Sequence, residues 1–304
     1  AELAAPAAHE ITIRHKAIGI NYIDTYHRSG LYPVKLPSGL GMEAAGAVEA
    51  VGADVKTFKV GDRAAYGSGP IGAYADANNV AASRAVKIPD GVSDEAAAAM
   101  MLKGMTAQFL LRQAFVVKAG DTILYHAAAG GVGLIATQWA KHLGATVIGT
   151  VGSDDKAKIA KAHGCDHVIN YRTENVPARV AEITGGKKLP VVYDGVGKDT
   201  FMMSLDCLAP RGLLVSFGNA SGPVTGVDLG ILAAKGSLFV TRPTMFHYAA
   251  TDADFQAVAK DLFDVVATGK VKIEIGQRYK LADAQQAHKD LEGRKTTGAT
   301  VLIP

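Results

Sequence analysis

The stretch Ile123-Leu124-Tyr125-His126-Ala127-Ala128-Ala129-Gly130-Gly131-Val132-Gly133 decides the fold. An apolar strand ends, a glycine-rich turn follows, and an amphipathic helix begins, which is the opening of a βαβ unit. A turn that wraps a dinucleotide pyrophosphate needs small residues at three places: one for the tight bend, one where backbone meets phosphate, and one where helix presses on strand. Ala128, Gly130 and Gly133 take those places, the first with alanine where glycine is usual. Gly131 and Val132 complete the first helical turn, whose amides and dipole favour an anion. These five residues are the expected pyrophosphate contacts.

The strand that follows bears on the nucleotide. A site for NAD usually offers Asp or Glu about 20 residues further on, to hold the ribose hydroxyl. Here Ile148-Gly149-Thr150-Val151-Gly152-Ser153 ends without a carboxylate. Gly152 and Ser153 leave room for a 2′-phosphate, and Lys156 stands one helical turn on. Tyr171 and Arg172 follow the next strand and offer a hydroxyl and a second cation. Asp154 and Asp155 complicate this reading unless they complement the helix N-terminus and point to solvent. The expected cofactor is NADPH.

Outward from this core, strand patterns recur at residues 146–150, 167–169, 190–194, 213–217 and 238–241, with helical patterns at 131–143, 154–163, 175–184 and 199–208. Such alternation implies a doubly wound parallel sheet. Upstream the character differs. Short strand patterns at 11–14, 44–51, 63–66, 73–80 and 85–88, punctuated by glycines, suggest an antiparallel, barrel-like domain. Ser93-Asp94-Glu95 opens a helix expected to run to about Val117. After a long helix from Asp252, a shorter helix at 282–291 and a last strand at 299–303 are assigned back to the first domain. The fold class is α/β. The expected division is 1–104 and 245–304 for a catalytic domain, around 105–244 for a cofactor domain.

Composition narrows the partners. The 304 residues suffice for two domains. The net charge of +3, with no run of Lys or Arg longer than two, provides no basic stripe for nucleic acid. Two cysteines, Cys165 and Cys207, make no disulfide framework and read as reduced thiols of a cytoplasmic protein. Residues 122–140 are nearly apolar enough for a membrane span, but their glycines suit a strand-turn-helix instead. The start at Ala1, without Met, reads as a processed or truncated N-terminus.

Several motifs then occur in order: Ala17-Ile18-Gly19-Ile20-Asn21, Gly39-Leu40-Gly41-Met42-Glu43-Ala44-Ala45-Gly46, Lys103-Gly104-Met105-Thr106, the glycine loop, Val168-Ile169-Asn170-Tyr171-Arg172 and Val215-Ser216-Phe217-Gly218-Asn219. On these, nearly the whole chain resembles the NADPH-dependent, zeta-crystallin-like quinone oxidoreductases of the medium-chain dehydrogenase/reductase superfamily. The resemblance implies a GroES-like first domain, a Rossmann second domain, and quinone reduction by direct hydride transfer without metal. It also implies a homodimer formed through an edge strand at 237–241. Zinc members of the superfamily use a Cys after the first strand and a Gly-His-Glu. Asn21 and Met42 occupy those places here, and an amide and a thioether do not replace thiolate and imidazole. Glu43 is then read as a buried structural carboxylate. His163, Cys165 and His167 read as a helix-to-strand turn, not a metal set.

The resemblance further places Asn21, Asp24, Tyr26 and Tyr32 beside the nicotinamide as catalytic candidates, with a short helix over 21–30 putting Asn21 and Asp24 on one side. Plainer roles stand beside these: Asn21 as a helix cap, Asp24 as a surface charge, the tyrosines as packing. Thr106, Phe217, Gly218 and Arg294 are further cofactor candidates, Arg294 being equally a solvated helix-end charge. His126 reads as a packed strand-end residue. An alkenal or enone reductase with the same cofactor is the nearest alternative activity, and a structural or RNA-binding role is the alternative of another class.

Overall fold

The computed structural model describes residues 3–304. The expected processed start at Ala1 lies outside the described residues. The chain divides into two compact units: residues up to Thr106 together with Ala249–Pro304, and Ala107–Tyr248 between them.

The first unit opens with β1 (Glu10–Ile20), α1 (Tyr22–Ser29), β2 (Ala44–Val51), β3 (Arg63–Tyr66), β4 (Ala77–Ala81), β5 (Val86–Lys87) and most of α2 (Asp94–Phe109), whose last three residues count with the second unit. The second unit alternates β6 (Thr122–Tyr125), α3 (Gly131–His142), β7 (Thr146–Val151), α4 (Asp154–Ala162), β8 (His167–Asn170), α5 (Val176–Ile183), β9 (Leu189–Asp194), α6 (Phe201–Asp206) and β10 (Leu208–Ser216). It closes with α7 (Gly230–Ala234), β11 (Phe239–Thr241) and α8 (Met245–Tyr248). The chain then returns to the first unit as α9 (Asp252–Ala267), β12 (Ile275–Lys280), α10 (Ala284–Glu292) and β13 (Ala299–Ile303).

In the first unit the strand order is β12-β13-β1-β2-β3-β5, with β4 also on β1. One edge of β1 is shared: Glu10–Arg14 pair with β4, and Ile18–Ile20 with β13. These pairings are antiparallel, but β12 and β13 run parallel, which departs from a wholly antiparallel sheet. Ile11, Ile13, Ile18, Val48, Tyr66, Val80 and Leu302 pack as its core. β1 runs six residues past the expected Arg14, because His15-Lys16-Ala17 keeps the alternation through a register shift.

All five strand pairings of the second unit are parallel, in the order β11-β10-β9-β6-β7-β8. The chain order reverses between β6 and β9. Such sheets bind ligands at this reversal, outside the carboxyl ends of the strands. Leu124, Ile148, Ile169, Val192, Leu205 and Leu214 pack within this unit. Three local expectations are corrected. The helix of residues 199–208 is the shorter α6, because β10 already begins at Leu208 against Leu189. α2 gives way at Leu110 to a wider, π-type turn ending at Ala114, short of Val117. β12, α7 and α8 have no counterpart in the sequence reading. β12 alternates half-buried and exposed residues of mixed polarity, so its hydrophobic period is weak.

Candidate active site

The second unit carries the glycine loop as expected. β6 ends at Tyr125, Gly130 caps α3, and the first intrahelical bond runs from the Leu134 amide to the Gly130 carbonyl at 2.9 Å. The amides of Gly131, Val132 and Gly133 precede that bond, and the first turn of α3 has no acidic side chain. A Cβ at Gly133 would run into the carbonyls of Ala127 and Ala128, so glycine alone allows this approach of helix to strand. The alanine at position 128 is accommodated by a second glycine. Ala128 is fully buried, and its methyl lies where a Cβ on Gly149 of β7 would stand. The cradle therefore fits a pyrophosphate despite its departure from the three-glycine pattern.

Beyond β7, Ser153 caps α4, its hydroxyl accepting from the Lys156 amide at 3.3 Å. The Tyr171 phenol lies against Gly152. The two aspartates that complicated the phosphate reading are engaged elsewhere. Asp154 accepts from the Asn170 amide at 2.8 Å, and Asp155 pairs with Lys158 at 3.0 Å, both carboxylates being exposed. Phe217 and Gly218 follow β10 and are half-buried; the Phe217 amide donates to the Asp194 carbonyl at 2.8 Å. Asn21, Thr106 and Arg294 belong to the first unit. Arg294 is exposed, with φ of 58°, in the turn after α10.

In the first unit, Asn21 sits between β1 and α1 and is 9 % exposed. Its backbone amide donates to Asp24 Oδ2 at 2.8 Å, and its side-chain Nδ2 donates to Glu43 Oε2 at 2.6 Å. Asp24 is fully buried, which corrects its reading as a surface charge: the first turn of α1 faces inward. Oδ2 also accepts from the Tyr74 hydroxyl at 3.0 Å, whereas the buried Oδ1 has no hydrogen-bond partner. Burial pushes the Asp24 carboxyl up to about 7, against the two hydrogen bonds that favour its charge. Tyr74 reaches His288 Nε2 at 2.8 Å, and Arg28 reaches His288 Nδ1 at 2.8 Å. Burial and then Arg28 hold that imidazole below its ordinary range. The Tyr26 and Tyr32 rings pack at 5.1 Å between centroids.

Glu43 is buried and hydrogen-bonded, as expected, but its charged partner was not foreseen. The Lys103 ammonium meets Oε2 at 2.8 Å, with side chains 6 % and 0 % exposed, and the Leu102 amide holds Oε1 at 2.8 Å. A sequence signal existed: Lys103 is the one basic residue of the alanine- and methionine-rich α2. Tyr74 and His288 carried no such signal. Among the described residues, no three His, Cys, Asp or Glu side chains gather into a set able to hold a metal. His163 and Cys165 lie in the turn after α4, with the His163 ring donating to the Ile159 carbonyl at 2.8 Å. His126 is buried just beyond β6. Among the described residues, no helix is long and apolar enough to cross a membrane.

Residues 7–90 match the alcohol dehydrogenase GroES-like domain, and residues 131–264 match the family described as zinc-binding dehydrogenase. A quinone oxidoreductase of Pseudomonas aeruginosa is 60 % identical over 302 residues, covering 99 % of this chain and 93 % of that protein. The crystal structure of Escherichia coli quinone oxidoreductase complexed with NADPH superposes with a TM-score of 0.98 at 54 % identity, covering 100 % of this chain and 94 % of that one. A 2-haloacrylate reductase of Burkholderia is 45 % identical over 313 residues, covering 100 % of this chain and 93 % of that protein.

Proposed function

The chain belongs to the quinone oxidoreductase family of the medium-chain dehydrogenases/reductases, and from that premise we propose that it reduces quinones with NADPH by direct hydride transfer. The observation that carries the reading is the α3 cradle, in which Gly133 admits no side chain and no acidic group stands in the first turn. When bound, NADPH supplies the hydride. In this reading Ala128, Gly130, Gly131, Val132 and Gly133 hold its pyrophosphate. Gly152, Ser153, Lys156 and Tyr171 receive the 2′-phosphate, and Thr106, Phe217, Gly218 and Arg294 complete the set.

On the substrate side the proposed groups are Asn21, Tyr26 and Tyr32, with Asp24 behind them. Asn21 has two amide protons; Glu43 takes one and orients the group, leaving the other for an oxygen of the substrate. Neutral donors of this kind suit the stable oxyanion of a reduced quinone. A proton from water then completes the hydroquinone. The amide of Asn21 and the thioether of Met42 are poor zinc ligands, so the charge on that oxygen is met by hydrogen bonds.

The test is single-turnover reduction with 4-deuterated NADPH across a panel of quinones and enones, repeated for Asn21→Ala, Tyr26→Phe and Tyr32→Phe. We expect a primary isotope effect, faster turnover of quinones, and losses of about tenfold from each variant, less than the roughly 10²–10³ of a lone oxyanion donor because the three donors overlap and a quinone is intrinsically reactive. Full rates in all three variants without an isotope effect would overturn the site assignment. The likeness to a 2-haloacrylate reductase favours reduction of activated double bonds as a second reading, and the enone arm decides between them. We also assign the protein to the cytoplasm and pair its copies through β11, whose Phe239 and Val240 are 59 % and 38 % exposed.

A further inference from the structure

Where the strand order of the parallel sheet reverses, a buried polar chain crosses the carboxyl ends of three strands. Thr150 of β7 lies 2.8 Å from His126 Nδ1 through Oγ1, and His126 Nε2 lies 3.0 Å from Ser204 Oγ on α6. Ser204 Oγ donates to Asp194 Oδ2, at the end of β9, at 2.9 Å. All four residues are 1 % exposed or less. The donors can be assigned in one direction. The Ser204 hydroxyl has one proton and two acceptors in reach, Asp194 Oδ2 at 2.9 Å and the Thr200 carbonyl at 2.8 Å; with either, its oxygen accepts from Nε2–H, and in the neutral imidazole Nδ1 accepts from Thr150. Burial lowers the proton affinity of His126, against the nearby Asp194 carboxylate, which raises it.

Each end of this chain grips a loop. Asp194 Oδ1 receives the amides of Val196 and Gly197 at 2.8 and 3.0 Å and the Thr200 hydroxyl at 2.8 Å. The same turn receives the next loop through backbone bonds, Phe217 N–H to the Asp194 carbonyl and Ser221 N–H to the Val196 carbonyl, both at 2.8 Å. At the other end, the Thr150 carbonyl accepts from the Ala128 amide at 3.0 Å, and Gly152 and Ser153 follow at once. The glycine loop, the phosphate loop and the Phe217–Gly218 loop are therefore registered to one another through Thr150, His126, Ser204 and Asp194. Apolar side chains would fill this volume at no polar desolvation cost, as they do lower in the same sheet. A fully satisfied polar chain instead fixes one arrangement of the strand ends.

We infer that Thr150, His126, Ser204 and Asp194 are positioning residues for NADPH, holding three cofactor loops in their binding geometry before the cofactor arrives. The inference rests on the cofactor reading given above. Preorganised loops bind more tightly because less ordering remains to be done on binding. The network holds the 2′-phosphate loop together with two loops that serve both cofactors, so its loss weakens NADH as well as NADPH, and NADPH no less than NADH.

Dissociation constants for NADPH and NADH, from the fluorescence of the bound nicotinamide, test this in Thr150→Val, Thr150→Ser and Ser204→Ala. Thr150→Val keeps the shape and removes the hydroxyl; Thr150→Ser restores it. We expect Thr150→Val and Ser204→Ala to weaken both cofactors about three- to tenfold, NADPH at least as much as NADH, and Thr150→Ser to recover affinity. Lys156→Ala is the control for the cofactor reading. If it weakens NADPH while Thr150→Val and Ser204→Ala lower only the melting temperature, the positioning role is overturned. If none of these variants, Lys156→Ala included, alters NADPH binding, the cofactor reading fails and the inference with it.

Discussion

Asn21 Nδ2 and Lys103 Nζ donate to the same oxygen, Oε2 of Glu43, at 2.6 and 2.8 Å. A fixed ammonium thus stands beside one of the two places where zinc members of the superfamily carry metal ligands. It neutralises the carboxylate that orients Asn21. Burying such a pair is not stabilising in itself, but removing one partner strands a charge in the interior.

Lys103→Met should therefore destabilise the protein by about 3–5 kcal/mol, measured by urea unfolding, while the double variant Lys103→Met/Glu43→Gln recovers at least about half of that loss. Equal stability of Lys103→Met and the parent would remove the pair from the account. Elemental analysis of the parent should find no stoichiometric zinc.

Lys156 is expected to select the phosphorylated cofactor. Its amide already holds the Ser153 hydroxyl, which places the residue in the first turn of α4. A charge-assisted bond to phosphate is worth about 1.5–3 kcal/mol, so Lys156→Ala should weaken NADPH about ten- to a hundredfold and NADH little. Parallel loss for both cofactors would assign the lysine to folding.

Asp24 makes stability depend on pH. Its carboxyl titrates near 7 in the fold, against an ordinary 3.8, so the native state binds the proton more tightly than the unfolded chain. The sign follows: this contribution is full below about pH 4, falls as pH rises towards about 7, and is flat above. Asp24→Asn removes the buried charge. Relative to the parent, it should gain on the order of a few kcal/mol between about pH 4 and about pH 8, read from unfolding midpoints. A parent–variant difference independent of pH would show that Asp24 does not titrate in this window.

The exposed edge at β11 should pair two copies. Static light scattering is expected to return twice the chain mass at micromolar concentration, and Phe239→Glu to shift the protein towards monomer. A monomeric parent would refute the pairing.

The second unit was legible from the chain because its determinants are local. Each β6-to-β10 strand is a short apolar run bounded by turn residues, and the α3 loop is contiguous, so periodicity and glycine spacing suffice. The missing carboxylate after β7 could be read in the same way. The first unit was legible in outline, from β2, β3 and the last strand, but not in the parallel pairing of that strand with β12, whose period is weak. Tertiary structure alone decided that Asp24 is buried and which partners the buried polar residues meet. Asp24 meets Tyr74, Tyr74 meets His288, and Glu43 meets Lys103 across separations of 50, 214 and 60 residues. A carboxylate has one identity in the sequence whether it lies in water or in the core. Its proton affinity, its partners and its use are set by what the packed chain brings against it.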